Sequence, residues 1–298
     1  MLSLSDIQPK LLQTVCDEGY VLDQTRFTTG RPDRTTLALR TRTGIPVVAK
    51  LYPAGGETAY ANMQAAWRSS FGERRQPPGL PRPLDYLPGA GVLVMERLEG
   101  RPLAELVEPP EKIFEESIRL LAALHGSDAQ PATRRNSRAI VRSVKRKAER
   151  IAEIAPRFVD VIRPVVEALE TVRAHDTELV PAHGDFSARN VLVGPNRLAL
   201  IDWDRFQWAH PARDVAYIGT HSWVSALRRG NRPEWSELKR AVAVYESVRP
   251  GAVLEPQLGF HVAAGLMRMA CSLVELWPQE AHLVPELAAE ALRHLDER

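Results

Sequence analysis

The chain of 298 residues is long enough to form one large domain or two lobes with separate hydrophobic cores. Its 39 basic and 37 acidic residues leave a formal charge of +2, which excludes the strongly basic surface typical of nucleic-acid binding. The two cysteines, Cys16 and Cys271, are too few for a disulfide framework or a zinc site and favour a reduced, cytoplasmic protein.

Two further observations argue against secretion and membrane insertion. Residues 1–15 lack the continuous apolar segment of a signal peptide, since they include Asp6 and Lys10. The most apolar stretch, residues 261–276, is interrupted by Arg268 and is shorter than the roughly 20 residues that span a bilayer. We therefore expect no membrane partner.

The first part of the chain is predicted to be rich in strands after a short opening helix. Residues 37–41 and 46–52 are β-like runs, and Thr43 and Gly44 between them are typical of a hairpin turn. The second run carries Lys50 near its end.

The next three segments are predicted to differ in type. Residues 55–70 have the apolar spacing of a helix. Residues 77–88 are expected to form a loop because they are rich in proline. Residues 91–95 are typical of a buried strand.

Beyond residue 95 the pattern becomes mostly helical. Residues 111–125 are predicted to form a helix, a basic helical stretch follows, and a further helix is expected over residues 164–174. Two β-like runs, residues 191–193 and 198–201, are separated by a turn. Helices are predicted from residue 215 onward.

The change of pattern falls at residues 96–100, a polar segment that ends in Gly100. We therefore predict two lobes, a small β-rich N-terminal lobe of residues 1–95 and a larger α-helical lobe of residues 96–298. The fold class is α+β, and a cleft between two such lobes is a common place for a ligand.

The most informative segment is residues 183–193, in which Asp185 and Asn190 stand five positions apart. Asp202 follows twelve positions after Asn190, beyond the two β-like runs. Phosphoryl transfer needs one residue to orient the acceptor hydroxyl and take its proton, and it needs oxygen ligands for one or two Mg²⁺ ions. A loop carboxylate and amide, followed across a β-turn by a second carboxylate, can bring these groups to one point.

These segments resemble the aminoglycoside phosphotransferase and choline kinase-like families, which have a bilobal protein-kinase-like fold. The sequence HGDFSARN at residues 183–190 is similar to their HGDxxxxN catalytic loop. The sequence IDWD at residues 201–204 is similar to their metal-binding segment, and the resemblance covers nearly the whole chain.

The resemblance implies a small-molecule kinase that moves the γ-phosphoryl group of ATP or GTP to a substrate hydroxyl. Asp185 would be the catalytic base or hydroxyl-orienting residue, and Asn190 and Asp202 would bind Mg²⁺. His183 would brace the loop without contacting substrate.

The resemblance also implies how the nucleotide is bound. Lys50, at the end of its strand, would reach the α- and β-phosphates as a point charge. Met95, Glu96 and Leu98 would lie in the hinge that binds the base through backbone groups, which leaves ATP and GTP as alternatives.

Lys50 is expected to pair with a glutamate on the helix that follows it. Glu57 is the first candidate and Glu73 is a weaker one. An equally good interpretation of Glu57 is a charge in the first turn of the helix, where the helix dipole favours a negative side chain.

No GxGxxG motif occurs in the first lobe, and residues 28–33 stand where protein kinases carry that loop. An APE-like segment after Asp202 is also missing. Both observations argue against a protein kinase.

Several neighbouring residues have two interpretations. By the resemblance, Asp214 would support the catalytic loop from beneath, and it is also placed to cap a helix beginning near Val215. His125 is predicted to be a buried core residue. Arg189 either supplies positive charge near the transferred phosphoryl group or braces the loop, and Asp204 is a further candidate near the metal.

The charge pattern bears on the acceptor. Residues 205–298 contain eleven acidic and eleven basic residues, whereas residues 134–150 contain eight basic residues and one acidic residue. Because a polycationic acceptor needs clustered carboxylates, we expect aminoglycosides to be poor substrates and a neutral or weakly charged hydroxyl compound to be preferred. The basic stretch is either a solvated helix face or an attraction for an anionic or neutral polyol substrate or for nucleotide phosphates.

The alternative to an active kinase is a catalytically silent nucleotide-binding or scaffold protein of the same fold. Lys50, Asp185, Asn190 and Asp202 together favour the kinase, because a scaffold has no need for all four.

Overall fold

The computed structural model of the protein describes residues 15–28, 35–52, 54, 56–106, 111–172, 178–252 and 254–296. The predicted opening helix and the segment at residues 28–33 lie almost entirely outside the described residues. The sheet of the N-terminal part and the helices of the C-terminal part confirm the predicted α+β class.

An antiparallel sheet of five strands forms the N-terminal part, in the order β1-β2-β3-β5-β4. The strands are β1 (Tyr20–Thr28), β2 (Thr35–Thr41), β3 (Pro46–Leu51), β4 (Pro83–Leu87) and β5 (Val92–Glu96). Helix α1 (Gly56–Trp67) connects β3 to β4. The predicted strands β2, β3 and β5 and the helix within residues 55–70 are thus confirmed.

The two faces of this sheet pack against different partners because side chains alternate along each strand. Val47 and Ala49 of β3 join Val94 of β5 in a small core on one face. On the other face Leu93 packs with Met63 of α1 as part of the large core. The sheet therefore connects to the rest of the molecule through the face that carries α1.

The hairpin between β2 and β3 fixes the position of Lys50. Gly44 has a φ of +85°, a conformation that glycine adopts without steric cost, and its N–H donates to the carbonyl of Thr41. The resulting register places Thr36 opposite Lys50, at the end of β3.

Strand β4 corrects the prediction of a loop over residues 77–88. The strand lies at the edge of the sheet, with Pro83 as its first residue. Proline is tolerated there because an edge strand needs no N–H on its outer side.

Seven helices are described in the C-terminal part. They are α2 (Glu111–His125), α3 (Ser137–Ile154), α4 (Val159–Thr171), α5 (Ala212–Arg228), α6 (Ser236–Val248), α7 (Glu255–Leu276) and α8 (Val284–Asp296). Helix α7 is central and packs against α3, α5 and α8. None of the described helices combines the length and apolar content needed to cross a membrane.

Two helices begin earlier than predicted. Helix α4 starts at Val159 and contains Pro164 in its interior, because the buried side chains Ile162, Val165 and Leu169 hold that face against the core. Helix α5 starts at Ala212, so that Asp214 lies within its first turn.

Short strands hold the loops between the helices. Strand β6 (Arg101–Pro102) pairs with β8 (Val191–Val193), which forms a hairpin with β9 (Leu198–Leu200). Strand β7 (Val180–Ala182) pairs with β10 (Gln207–Ala209). The predicted hairpin is confirmed, whereas a lobe boundary between residues 95 and 96 stays a prediction.

Candidate active site

The catalytic loop begins with a turn that only glycine fits. Gly184 has a φ of +76°, and a Cβ atom on it would lie 2.3 Å from the carbonyl oxygen of Arg205. The close approach joins the loop that starts at residue 183 to the turn that follows Asp202. Gly184 thereby fixes where Asp185 leaves the turn.

Asp214 supports this loop from beneath. Its Oδ1 accepts a hydrogen bond from the N–H of Gly184 at 2.8 Å, and its Oδ2 lies 3.2 Å from Nε2 of His125. Nδ1 of His125 is 2.8 Å from the hydroxyl of Tyr245. Asp214 makes no side-chain cap on α5, so the alternative interpretation as a helix cap is wrong, and His125 is the buried core residue that was predicted.

Burial and pairing set the charges of this group. Burial lowers the pKa of His125 more than the adjacent carboxylate raises it, so the imidazole is neutral at neutral pH. Burial would raise the pKa of Asp214, but the hydrogen bond from His125 and the positive charge of Arg213 hold it below its usual range. A charged Asp214 thus receives the Gly184 N–H inside the core.

Two further contacts join the catalytic loop to the segment at residues 201–204. His183 is fully buried and donates from Nε2 to the carbonyl of Ile201 at 3.0 Å. The N–H of Ile201 donates to the carbonyl of Asn190 at 3.0 Å. His183 therefore braces the loop, as the sequence predicted.

Asp185 lies between two arginines. Its Oδ1 accepts from Nη2 of Arg268 at 2.6 Å, whereas its Oδ2 lies 3.9 Å from Nε of Arg205, beyond hydrogen-bond distance. Burial would raise the pKa of Asp185, but the positive charges of Arg268 and Arg205 outweigh it and hold the pKa below its usual range. Asp185 is consequently a carboxylate at neutral pH with one oxygen left for another donor.

Lys50 reaches across to the turn after β9. Its Nζ lies 2.6 Å from Oδ1 of Asp202 and 2.9 Å from both carboxylate oxygens of Asp204. The hydroxyl of Tyr52 also donates to Asp204. Asp204, a secondary candidate from the sequence, thus shares the lysine with Asp202.

Asp202 has an unusual backbone. Its φ of +68° is left-handed, and among the described residues it is the one residue other than glycine with a positive φ. Such a conformation is uncommon outside glycine, is best tolerated by Asp and Asn, and clusters at active sites and ligand clamps. The strain turns the chain sharply at Asp202, before the 3₁₀ turn Trp203–Arg205.

The oxygen donors near Asp202 suit Mg²⁺. Asp202 and Asp204 supply carboxylates, and the amide nitrogen of Asn190 donates to the carbonyl of Asp185 at 2.8 Å, which leaves the amide oxygen as its other polar atom. Within the described ranges, no three His, Cys, Asp or Glu side chains form a complete metal cage. Two carboxylates and an amide oxygen fit Mg²⁺, which proteins bind through one or two carboxylates together with substrate phosphates.

The expected pairing of Lys50 with Glu57 is not found. Both residues are described, and no ion pair joins them; Glu57 is exposed in the first turn of α1. Glu73 is exposed as well. The structure therefore favours the interpretation of Glu57 as a charge at a helix start.

In the predicted hinge, some of the groups that could bind a nucleotide base already have partners within the protein. The N–H of Glu96 donates to the carbonyl of Arg82 at 2.8 Å, so this N–H cannot meet a nucleotide base. The carboxylate of Glu96 accepts from the N–H of Arg82 and from Nη2 of Arg197. Met95 and Leu98 are half-buried on either side of it.

The contact that Arg189 makes does not support a role in catalysis. Its Nε donates to Nε2 of His221 on α5 at 2.9 Å. Burial, followed by the charge of Arg189, lowers the pKa of His221 to about 3, so the imidazole is a neutral acceptor. The contact favours the interpretation of Arg189 as a brace for the loop.

The sequence did not identify Arg205, Arg268 or Tyr52 as site residues. Arg268 had a visible signal, because it is the single basic residue within the apolar stretch 261–276. Its guanidinium also lies over the ring of Tyr217, 4.3 Å from the centroid. A charge inside an otherwise apolar helix is a reason to expect a buried partner.

A family model described as the phosphotransferase enzyme family matches residues 23–250. The chain belongs to this family. It is accordingly a phosphotransferase that uses an alcohol group as acceptor, as the resemblance predicted. No curated protein sequence is significantly similar to this phosphotransferase.

Solved structures share its fold. Choline kinase LicA from Streptococcus pneumoniae has a TM-score of 0.67 at 13% identity, with 98% of this chain and 99% of that chain covered. Spectinomycin phosphotransferase in complex with ADP and spectinomycin has a TM-score of 0.63 at 15% identity, with 96% and 99% covered. A variant of aminoglycoside phosphotransferase APH(4)-Ia in complex with AMP-PNP and hygromycin B has a TM-score of 0.65 at 15% identity, with 97% and 100% covered. The phosphotransferase thus has the protein-kinase-like fold.

Proposed function

We propose that this phosphotransferase moves the γ-phosphoryl group of ATP or GTP to a hydroxyl of a small molecule, with Asp185 at the acceptor. The observation that carries the proposal is the convergence of the predicted residues. Asn190 is bonded to the carbonyl of Asp185, and Lys50 is bonded to Asp202 across the molecule.

Asp185 orients the acceptor hydroxyl. Its Oδ1 is held by Arg268, so Oδ2 is the oxygen that receives the hydroxyl proton in a hydrogen bond. Because the pKa of Asp185 is held below its usual range, the carboxylate is a weak proton acceptor. That suits phosphoryl transfer through a loose transition state, in which positioning counts for more than early proton removal.

Asn190 and Asp202 would hold Mg²⁺, with Asp204 as a third oxygen donor. Mg²⁺ supplies charge that neutralises the phosphate oxygens during transfer. The left-handed backbone of Asp202 directs its carboxylate toward Lys50 rather than along the chain. Asn190 keeps its orientation through the hydrogen bond to the carbonyl of Asp185.

Lys50 would bind the nucleotide phosphates. In the structure its ammonium group pairs with Asp202 and Asp204, and a lysine ammonium is a compact point charge that also binds phosphates. Met95, Leu98 and Glu96 would bind the base, with the N–H of Glu96 excluded because it is already hydrogen-bonded to Arg82. The two free cysteines agree with a cytoplasmic enzyme, where nucleotide and Mg²⁺ are abundant.

Nucleotide turnover tests the proposal. Formation of ADP or GDP is measured with Mg²⁺ in the presence of sugars, sugar phosphates, amino alcohols and aminoglycosides, and the phosphate ester is identified by mass spectrometry. We expect at least one hydroxyl compound to raise nucleotide turnover above the rate without acceptor. Nucleotide binding with no turnover for any acceptor would instead support the silent scaffold.

A further inference from the structure

A pocket opens beside the catalytic loop, between helices α3, α5 and α7. It is a small pocket that is partly open to solvent. Five cationic side chains line it, namely Arg135, Lys147, Arg205, Arg213 and Arg268. The residues that line it include no Asp or Glu.

The carboxylate of Asp185 pairs with two of these cations, and the charges of Asp214 and Glu275 act on Arg213 and Lys147. Asp185 accepts from Arg268 and lies 3.9 Å from Arg205. The Nε atoms of Arg135 and Arg213 are both buried and have no hydrogen-bond partner among the described residues. Arg213 also donates from Nη2 to the carbonyl of Gly184 at 3.5 Å, so what remains in each of the two guanidinium groups is a buried Nε–H without a protein acceptor.

Such an arrangement costs stability unless an anion compensates it, because buried cations lose hydration and repel each other. Burial and this mutual repulsion lower the pKa values of several of these cations. Burial, followed by the charge of Arg135, lowers the pKa of Arg213 to about 9. Burial and the charge of neighbouring arginines also lower the pKa of Arg135, and burial lowers that of Lys147.

We propose that this pocket binds the acceptor and that the acceptor carries an anionic group, a phosphate or a carboxylate, in addition to its reactive hydroxyl. The inference deepens the proposed kinase function and rests on it. The hydroxyl would bind Oδ2 of Asp185, and the anionic group would bind Arg135, Lys147 and Arg213. Guanidinium groups are well suited to both anions because they donate two parallel hydrogen bonds.

The same cations exclude a polycationic acceptor. An aminoglycoside would bring further positive charge to a pocket whose lining carries five cations and no carboxylate. The proposal departs from the expectation of a neutral or weakly charged acceptor, since a neutral polyol leaves the Nε atoms of Arg135 and Arg213 without an anionic partner. The eight basic residues of the stretch 134–150 divide accordingly: Arg135 and Lys147 face the pocket, and exposed members such as Arg138 do not.

Direct binding without nucleotide tests the anion site independently of phosphoryl transfer. The probes are matched compounds: glucose, glucose 6-phosphate, gluconate and glucosamine, with glycerol and glycerol 3-phosphate as a smaller pair. Isothermal titration and thermal unfolding report binding to the wild-type protein. We expect an anionic member to bind at least about tenfold more tightly than its neutral partner, since a charge-assisted hydrogen bond is at stake.

Three variants locate the site. Arg135→Gln and Lys147→Gln each remove one pocket cation and should weaken anion binding about tenfold or more. Arg138→Gln is the matched control, because Arg138 is exposed on the same helix and outside the pocket. Equal binding of neutral and anionic probes, or equal loss in the control, overturns the inference. Stronger binding of phosphates than of gluconate would identify the anion as a phosphate, and the reverse a carboxylate.

Turnover then separates the inference from the function on which it rests. With ATP and Mg²⁺, Lys147→Gln should raise the KM of an anionic acceptor about tenfold while the KM of ATP stays within about twofold. A raised KM for ATP alone would assign the cations to the nucleotide and overturn the inference. Turnover of neutral acceptors as efficient as that of their anionic counterparts in the wild type would also overturn it and leave the kinase function standing. Anion binding without turnover of any acceptor would confirm the site and contradict the kinase.

Discussion

The two sides of the proposed cleft have opposite charge patterns. On the side of β3, the carboxylates of Asp202 and Asp204 both pair with Lys50. On the side of α7, the carboxylate of Asp185 pairs with Arg268 and Arg205, two of the five cations that line a pocket without Asp or Glu. The chain as a whole carries only +2, so this separation is local and does not appear in the composition.

Each side is suited to a ligand of the opposite charge. The surplus of carboxylate on the side of Lys50 suits Mg²⁺, and the surplus of cations near Arg268 suits an anion. Asp185 lies where the two meet, and its neighbour Asn190 is bonded to its carbonyl. Arginines keep Asp185 ionised, whereas Asp202 and Asp204, 17 and 19 positions further along the chain, pair with a lysine on the other side.

The largest effect is expected when the charge of Asp185, which lies between the two sides, is removed. Asp185→Asn keeps the size of the side chain but removes the charge that orients the hydroxyl, so we expect kcat to fall by ~10²–10⁴-fold. Binding of Mg²⁺ and nucleotide should change little, because those ligands belong to the other side. Steady-state turnover and nucleotide titration measure the two quantities separately.

A matched control accompanies this substitution. Asp128 is an exposed carboxylate that also pairs with an arginine, Arg74, and Asp128→Asn should leave kcat unchanged. Turnover of Asp185→Asn within a few-fold of wild type would remove Asp185 from its proposed role.

The second prediction concerns the metal side. Asparagine tolerates the left-handed backbone of Asp202 as well as aspartate does, so Asp202→Asn removes charge with little strain. We expect the Mg²⁺ concentration for half-maximal rate to rise by at least the ~10–100-fold typical of changes beside a metal. A Mg²⁺ titration at fixed nucleotide measures it, with Asp160→Asn on the exposed surface of α4 as the control. An unchanged Mg²⁺ requirement would contradict the assignment of Asp202.

Much of the metal side could be predicted from the sequence because its parts are local. The hairpin of β8 and β9 lies between Asn190 and Asp202, and its alternating apolar residues and turn were visible. Helix α2 has the predicted bounds because its apolar spacing is regular and glycine follows it. Lys50 was identified from its place at the end of β3 together with the loop at residue 185.

The acceptor side could not be predicted in the same way. Arg268 and Asp185 are 83 residues apart, and their contact depends on how α7 packs beneath the catalytic loop. The neutral charge balance of residues 205–298 conceals which side chains face the pocket. Strand β4 was missed because proline content excludes a central strand but not an edge strand.

The third prediction concerns buried histidines on the acceptor side, where further positive charge should be unfavourable. Burial and the charge of Arg189 lower the pKa of His221 to about 3, and burial and the charge of Arg213 lower that of His261 well below 6.5. Because the unfolded chain binds these protons below about pH 6.5 and the folded chain does not, stability falls as the pH drops below that value. At one pH unit below 6.5, two such groups together lower the free energy of unfolding by no more than about 3 kcal/mol.

Denaturant unfolding at pH 7.5 and pH 5.5 measures this loss on the wild-type protein and two variants. His261→Gln should reduce the difference between the two pH values by up to half, whatever its effect on stability at pH 7.5. His282→Gln changes an exposed histidine and should leave the difference as it is. Equal stability at both pH values in the wild type would show that the acceptor side accepts further positive charge after all.

The smallest effect is expected at Glu57. The structure pairs Lys50 with Asp202 and Asp204 and leaves Glu57 exposed in the first turn of α1. Glu57→Gln should therefore keep kcat and the KM of ATP within about twofold and lower stability only by the ~0.3–1 kcal/mol of a charge at a helix start. Steady-state kinetics and denaturant unfolding test both parts, and Lys50→Ala, which should raise the KM of ATP, shows that the assay detects loss of the lysine. A fall of tenfold or more in kcat/KM for Glu57→Gln would mean that Lys50 exchanges the aspartates for Glu57 when nucleotide binds.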